Sequence, residues 1–382
     1  MKTQHTKNMT NLKKYNIFIT ITTFAKLMIE VFIPLLLYNI GFQLNEILIF
    51  YLVQFFTIFL FNIPATYIGQ KITFKKLMII SSILFSITYI YINYITKNII
   101  KLIILSILNG LYLSTYWIGR HIYGISIIKE KETTDNVSKY MIFGIIGSLP
   151  ASYIGAYILE KYGYISLSII ILILSFISLF PLFKIEINQK INKIKIKQII
   201  KNFPKQNYTF LFFDQLKFFT ILLFPLYIYI NIKSELKYIA LTNVIIGISS
   251  ILYILFIAKK MDENKKDYLK PMLLAMFITL LIKLNINSSN IILFIIFIEG
   301  ISKSALDTII LRNTYSYKAN YNNISYILFI EQLYSLFRFI ITTIYLILEV
   351  NLKTILYIGT FSLLINTFIG FKQGKSGYKT DC

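Results

Sequence analysis

The sequence predicts an all-α integral membrane protein with twelve transmembrane helices arranged as two six-helix bundles. Hydrophobic residues make up 56% of the 382 residues and mean hydropathy is +0.67, beyond the apolar share of a soluble domain. The excess lies in repeated apolar runs of bilayer-spanning length, each closed by a short cluster of Lys, Asn, Asp, Glu or Gly. A segment near Pro34 also recurs near Pro225. Open sheets leave backbone groups unsatisfied in lipid, and these runs are too long and too evenly apolar for barrel strands. The spanning elements are therefore expected to be helices.

The first six spans are expected at residues 17–39, 44–68, 76–96, 99–120, 138–160 and 165–184. The second six follow at 208–232, 237–258, 270–288, 290–312, 324–348 and 352–371. This divides the chain into a first bundle (1–184), a basic cytoplasmic linker (185–207) and a second bundle (208–382). Met1 to Lys14 is polar and basic and is read as a disordered start containing His5. It lacks the layout of a cleaved signal, so the first helix is expected to stay in the mature protein. The linker carries the Lys-Ile alternation KINKIKIKQIIK. Two readings stay open for it: an amphipathic segment on an anionic leaflet, or a plain solvated connection.

Charge supplies the orientation. A net charge of +22 would suit a nucleic-acid binder if it formed a stripe, but here it is dispersed among loops. With both termini inside, 28 of the 39 Lys and Arg fall in cytoplasmic segments and 6 in outside loops. Positive loops stay in the cytoplasm, so both termini are expected there, in a multi-pass protein of the plasma (inner) membrane. The only cysteine is Cys382, which excludes an internal disulfide framework and a thiolate metal cluster and fails the prenylation pattern.

The repeat supports the two halves. The segment IPLLLYNIGFQLNE aligns with FPLYIYINIKSE, setting Pro34 against Pro225 and Glu46 against Glu235. Each is the outer end of the first helix of its half. Parallel repeats about an axis along the membrane normal occur in one large transporter class.

The most specific motif runs from the end of span two into span three, PATYIGQKITFKKLMIIS from Pro64 to Ser81. It resembles the loop signature of the major facilitator superfamily. Pro64, Tyr67, Ile68, Gly69, Lys71, Lys75 and Lys76 match, while Thr66, Gln70 and Thr73 stand where that signature has Gly, Asp and Gly. The resemblance implies a gating loop built from Gly69, Gln70, Lys71, Lys75 and Lys76. Gln70 supplies a hydrogen bond but not the charge of the usual acid. Glu30, Pro34, Gly41 and Glu46 extend the likeness upstream, and Gly144, Gly147, Pro150 and Gly155 are similar to the Gly-Pro element of the family's exporters.

Ionisable groups inside a bilayer are costly, about 2.5–3.5 kcal/mol each on insertion scales, so they face the bundle interior or a wet cavity. Lys26 and Glu30 stand at i, i+4 in span one; Asp214 and Lys217 at i, i+3 in span seven. Glu299, Lys303 and Asp307 form an acid-base-acid ladder in span ten, and Glu331 and Arg338 stand at i, i+7 in span eleven. The resemblance implies that spans one, four, seven and ten line a central cavity. Span four would add Asn109, Tyr112, Tyr116 and Arg120, with Trp117 beside them. These residues are candidates for substrate binding or ion coupling, and each has an alternative role as a paired structural charge that fixes helix registry.

Absences narrow the function further. The chain has no phosphate-cradling glycine loop with its Lys-Ser/Thr, which excludes ATP-driven pumping by this chain alone. Two histidines, His5 and His121, make neither a His-rich metal centre nor a Ser-His-Asp arrangement. No cofactor is expected, and His121 is read as a helix-end residue. The resemblance implies a non-enzymatic secondary transporter, a monomer among lipids, moving a small organic solute by alternating access. Proton-coupled efflux is preferred, with proton or sodium as coupling ion; uptake, facilitation, a receptor on the same fold and a membrane-embedded transferase are the alternatives.

Overall fold

The computed structural model describes residues 2–127, 144–147, 149–185, 194–257, 268–316 and 323–372. Every regular element described is helical. They are α1 (Lys2–Leu27), α2 (Ile33–Ile40), α3 (Leu44–Ile72), α4 (Phe74–Tyr91), α5 (Ile99–Ile127) and α6 (Ala151–Phe183). Then follow α7 (Ile196–Asn202), α8 (Lys205–Asn231), α9 (Leu236–Phe256), α10 (Leu269–Asn285), α11 (Ser289–Ser316), α12 (Asn323–Ile347) and α13 (Leu352–Ile369). Nine helices among the described residues are long and apolar enough to cross a membrane.

The difference from the expected twelve spans has physical causes. One of the nine runs 40 residues from Gly144 to Phe183. It contains a break at Gly163, where φ +77 and ψ −178 leave the helical region. Glycine reaches that conformation without a Cβ penalty, and it divides the run where spans five and six were expected to part. Helix α10 has only 17 residues, one short of the length needed to stand among the nine, and α11 is not among them either. Residues 138–143 of expected span five, 186–193 of the linker and Cys382 lie outside the described residues.

The first span is not one continuous helix. The chain leaves α1 at Leu27, makes a 3-10 turn at Glu30–Phe32 and re-enters helix at Ile33 with Pro34 in the first turn of α2. A proline there needs no amide donor, and a 3-10 turn inside a helix is a common sign of a hinge. Helix α6 rests against this break. A Cβ on Gly155 would collide with the Met28 carbonyl oxygen, and one on Gly147 would lie 2.7 Å from the Thr20 carbonyl oxygen. Gly147, just before α6, thus meets the α1 backbone and Gly155 of α6 meets the break after it, close approaches that only small residues permit.

Packing brings distant parts of the chain together. Helix α5 lies on α3 and α4, α6 on α1 and α4, α13 on α8 and α10, and α11 on α9 and α10. Cross-connections run from α12 to α3, α6 to α9 and α2 to α8. Aromatic contacts mark where α3 meets the later part of the chain: Phe55 stands 6.1 Å and 5.9 Å from Phe218 and Phe219 of α8, and Phe56 stands 5.2 Å from Phe339 of α12.

One expectation about the connections needs correction. Helix begins at Lys2, so the start is not disordered. The linker contains α7, whose Ile199 is buried against the second core while Ile200 is exposed. Its amphipathic pattern serves docking onto α12, because one apolar face of a short helix is stable only when another element covers it.

Replacing Gly155 with Leu is expected to force α6 away from the break at Met28. Overpacking of this kind costs about 1–3 kcal/mol and should lower the thermal unfolding midpoint in detergent. A midpoint equal to the parent's would show that α6 does not rest on the break.

Candidate functional site

Local sequence spacing makes the first ionic contact. Lys26 Nζ lies 3.3 Å from Glu30 Oε1, the i, i+4 pair bridging the break between α1 and the 3-10 turn. The same ammonium stands over the Trp117 ring at 4.8 Å and the Tyr116 ring at 5.5 Å. Arg120 covers the same rings, 5.0 Å from Trp117 and 5.7 Å from Tyr116, and donates to Tyr116 Oη at 3.2 Å. An aromatic face attracts a cation, and more strongly where water is excluded. Glu30 is also an electrostatic neighbour of Tyr51, Tyr89 and Tyr112.

The rest of α5 turns inward. Asn109 Nδ2 donates to Gln54 Oε1 at 2.8 Å, and Ser114 Oγ donates to Asn62 Oδ1 at 2.8 Å. Tyr112 and Tyr116 are buried, with Tyr112 against Phe85 at 4.9 Å. His121 corrects one expectation: α5 continues to Ile127, so it is not a helix-end residue. Its ring stacks on Trp117 at 5.3 Å, and its Nε2 lies 3.5 Å from Glu331 Oε1 on α12.

The second half carries two further pairs. Lys217 Nζ lies 2.6 Å from Asp214 Oδ1. Gln215 donates to Asp214 Oδ2 at 3.2 Å and accepts from Arg338 Nε at 2.7 Å. Arg338 stacks on Phe218 at 3.8 Å, joining α12 to α8. The other pair departs from the expected ladder. Glu299 meets Lys283 of α10 at 2.5 Å, both side chains 3% exposed, and the Lys283 ammonium sits 3.5 Å from the centre of the Phe224 ring. The lysine of the neighbouring helix takes the Glu299 carboxylate in place of Lys303. Glu299 faces α10, while Lys303 and Asp307 face elsewhere.

Those two residues line a cavity of about 200 Å³ together with Ser152, Asn243, Ser250 and Ser304. Its apolar wall comes from Leu27, Val31, Ile145 and Ile246. Four chain regions therefore meet here: the inner side of the break, the start of α6, α9 and α11. Asn109, Tyr112, Tyr116 and Arg120 are not among its lining residues, nor are Asp214, Lys217 and Glu299; Lys26 and Glu30 flank the lining residues Leu27 and Val31 in sequence. Among the described residues neither Asp307 nor Lys303 enters an ion pair, and Glu331 has only the His121 imidazole beside it. The hydroxyls and the Asn243 amide of the lining were missed in the sequence. Ser and Asn on a long apolar helix carry no distinctive spacing; only the approach of α9 to α11 gives them a common surface.

The loop between α3 and α4 is tight. Thr73 has φ +90 and ψ 144 and its hydroxyl caps the Lys76 amide at 3.4 Å. A β-branched residue is strained at positive φ, which accounts physically for glycine at the matching place in the resembling signature. Lys75 Nζ donates to the Phe183 and Ile185 carbonyls at 2.8 Å and 2.9 Å, and Lys14 Nζ donates to the Lys184 carbonyl at 2.7 Å. The loop lysine thus satisfies orphan carbonyls at the end of α6. Gly69 is buried and Gln70 half-buried, while Lys71 and Lys76 are exposed. Among the described residues no group of His, Cys, Asp and Glu could hold a metal ion.

The sequence model of the Major Facilitator Superfamily matches residues 16–341. No curated protein matches the chain.

Two substitutions probe this geometry. Lys283→Met leaves Glu299 buried without its cation, and breaking such a pair costs about 3–5 kcal/mol; adding Glu299→Gln should restore most of the lost thermal stability. Equal midpoints for single and double variants would refute the pair. Thr73→Gly should stabilise the protein by about 1 kcal/mol or less, relief of strain exceeding the entropy of glycine, and a lower midpoint would count against strain there.

Proposed function

The chain belongs to the major facilitator superfamily, and from that premise we propose how this secondary transporter works. It is a multi-pass membrane protein that moves a small-molecule substrate, not an enzyme, so the transferase reading is set aside. In the proposed mechanism, twelve spans form two bundles of six, divided at the basic linker, that rock about the central cavity. Both termini are placed in the cytoplasm on the distribution of Lys and Arg. The protein acts as a monomer in the plasma (inner) membrane.

The observation that carries the reading is the composition of the cavity wall. Leu27, Val31, Ile145 and Ser152 come from before the linker; Asn243, Ile246, Ser250, Lys303 and Asp307 come from after it. Relative motion of the two halves therefore reshapes the wall. Two contacts between halves are the proposed gates. Towards one end, Lys237 of α9 meets Glu160 of α6 at 2.8 Å. Towards the other, His121 meets Glu331, beside an apolar cluster of Ile118 and Ile122 with Ile324, Ile327 and Leu328. Opening one contact while keeping the other alternates access.

Efflux coupled to protons is the proposed direction, on the likeness of the span-five Gly-Pro element to that of exporters. Uptake of a nutrient-sized solute is the second reading, favoured by the small volume and non-aromatic lining of the cavity. Glu30 is the proposed proton site. Its carboxylate sits at the break in the first span, tied to Lys26 and close to three tyrosines. A change in backbone at the break changes those contacts, and with them the cost of carrying the charge.

Proteoliposomes with an imposed pH gradient test this. A gradient-driven flux of at least one solute from a small-molecule panel is expected, with Glu30→Gln reducing the driven flux at least about tenfold while solute exchange without a gradient persists. Flux in Glu30→Gln with unchanged pH dependence would return Glu30 to a structural role. Movement of no solute in either direction would overturn the transport mechanism.

A further inference from the structure

We propose that the cavity binds a small zwitterion of amino-acid size, its carboxylate on Lys303 and its ammonium on Asp307; the inference rests on the transport reading above and names its substrate class. Charge pairing is the first argument. Glu30, Asp214 and Glu299 each have a lysine within 4 Å and Glu331 has the His121 imidazole, whereas Lys303 and Asp307 line the cavity and enter no ion pair among the described residues. The nearest influences act at longer range, Lys303 on Lys283 and Asp307 on Lys217.

An ion at membrane depth needs a partner or water. At i, i+4 the two side chains start about 5–6 Å apart on one helix face. A zwitterion placed between them supplies the missing partner to each and adds no net charge to the cavity. A solute with a single charge satisfies one of them and leaves the other as it was.

The remaining lining agrees with this orientation. Ser304 Oγ donates to Ser250 Oγ at 2.5 Å, and Ser250 passes its own hydrogen to the Ile246 carbonyl at 2.7 Å. Asn243 donates one of its two amide hydrogens to the Ile239 carbonyl at 3.3 Å, and its Oδ1 is an acceptor for an ammonium. Opposite these groups, Leu27, Val31, Ile145 and Ile246 offer an aliphatic wall for a side chain. The volume of about 200 Å³ equals roughly seven water molecules. It lies below the range of about 300–1,000 Å³ for pockets that hold drug-sized ligands.

Binding to the purified protein in nanodiscs separates this proposal from transport. Glycine, alanine, serine and leucine are titrated against thermal unfolding and against displacement of radiolabelled leucine. Leucinamide, which lacks the carboxylate, and 4-methylpentanoate, which lacks the ammonium, serve as single-charge probes. At least one amino acid is expected to bind, and for leucine each single-charge probe should bind at least tenfold more weakly. Lys303→Met should erase the preference for leucine over leucinamide, and Asp307→Asn the preference over 4-methylpentanoate. Binding of no amino acid, or equal binding of leucine and either probe, overturns the proposal. Should a variant fail to fold, the comparison of probes on the parent protein decides alone. If no amino acid binds but another solute crosses proteoliposomes, this inference fails and the transport mechanism stands. If an amino acid binds and no solute crosses, the reverse holds.

Discussion

The cost of placing charge in a low-dielectric layer organises this molecule more than any other single constraint. Each ionised group inside the spans needs an opposite charge, an aromatic face or water, and the available partners lie mostly on other helices. Lys283 and Glu299 fasten α10 to α11. Arg338 fastens α12 to α8 through Gln215 and Phe218. His121 reaches Glu331 across the two halves of the chain. These contacts select a rotation for each helix, which apolar packing leaves weakly specified because lipid is as apolar as leucine. What remains, Lys303 and Asp307, faces the cavity.

Backbone proximity is the second constraint, and it acts where the first span breaks. The 3-10 turn at Glu30–Phe32 interrupts the helix, and α6 can approach that interruption because position 155 has no side chain. One small residue therefore lets α6 close one flank of the cavity, while the break sets Glu30 apart from a regular helix. Structural role and proposed coupling role meet in the same few residues. The glycine pattern in span five has its physical explanation in this packing, independently of the direction of transport.

The candidate site was only partly legible. Lys26 with Glu30 and Asp214 with Lys217 pair within one helix, so their spacing revealed them. Glu299 with Lys303 had equally good spacing, yet Glu299 turned to Lys283 on the adjacent helix. A cation 16 residues away in sequence can outcompete one four residues away when the helix turns its acid toward it. Asn109 was expected in the cavity and instead bonds Gln54, because α5 presents that face to α3. His121 was read as a terminal residue, but α5 runs on to Ile127 and the ring lies between Trp117 and Glu331.

The amino-acid sequence by itself determined the membrane helices, their approximate limits and the family, all of which are encoded in composition, short-range spacing and the motif from Pro64 to Ser81. Apolar run length and i, i+4 periodicity are properties of consecutive residues and need no neighbour to be read. Only the tertiary structure decided which acid meets which base, where the first span breaks, and which polar groups share the cavity. Those outcomes depend on the rotation and depth of helices that lie tens to hundreds of residues apart in the chain. The strained Thr73 shows the division within one residue: its departure from glycine is visible in the sequence, and the positive φ that makes the departure costly is visible only in the fold.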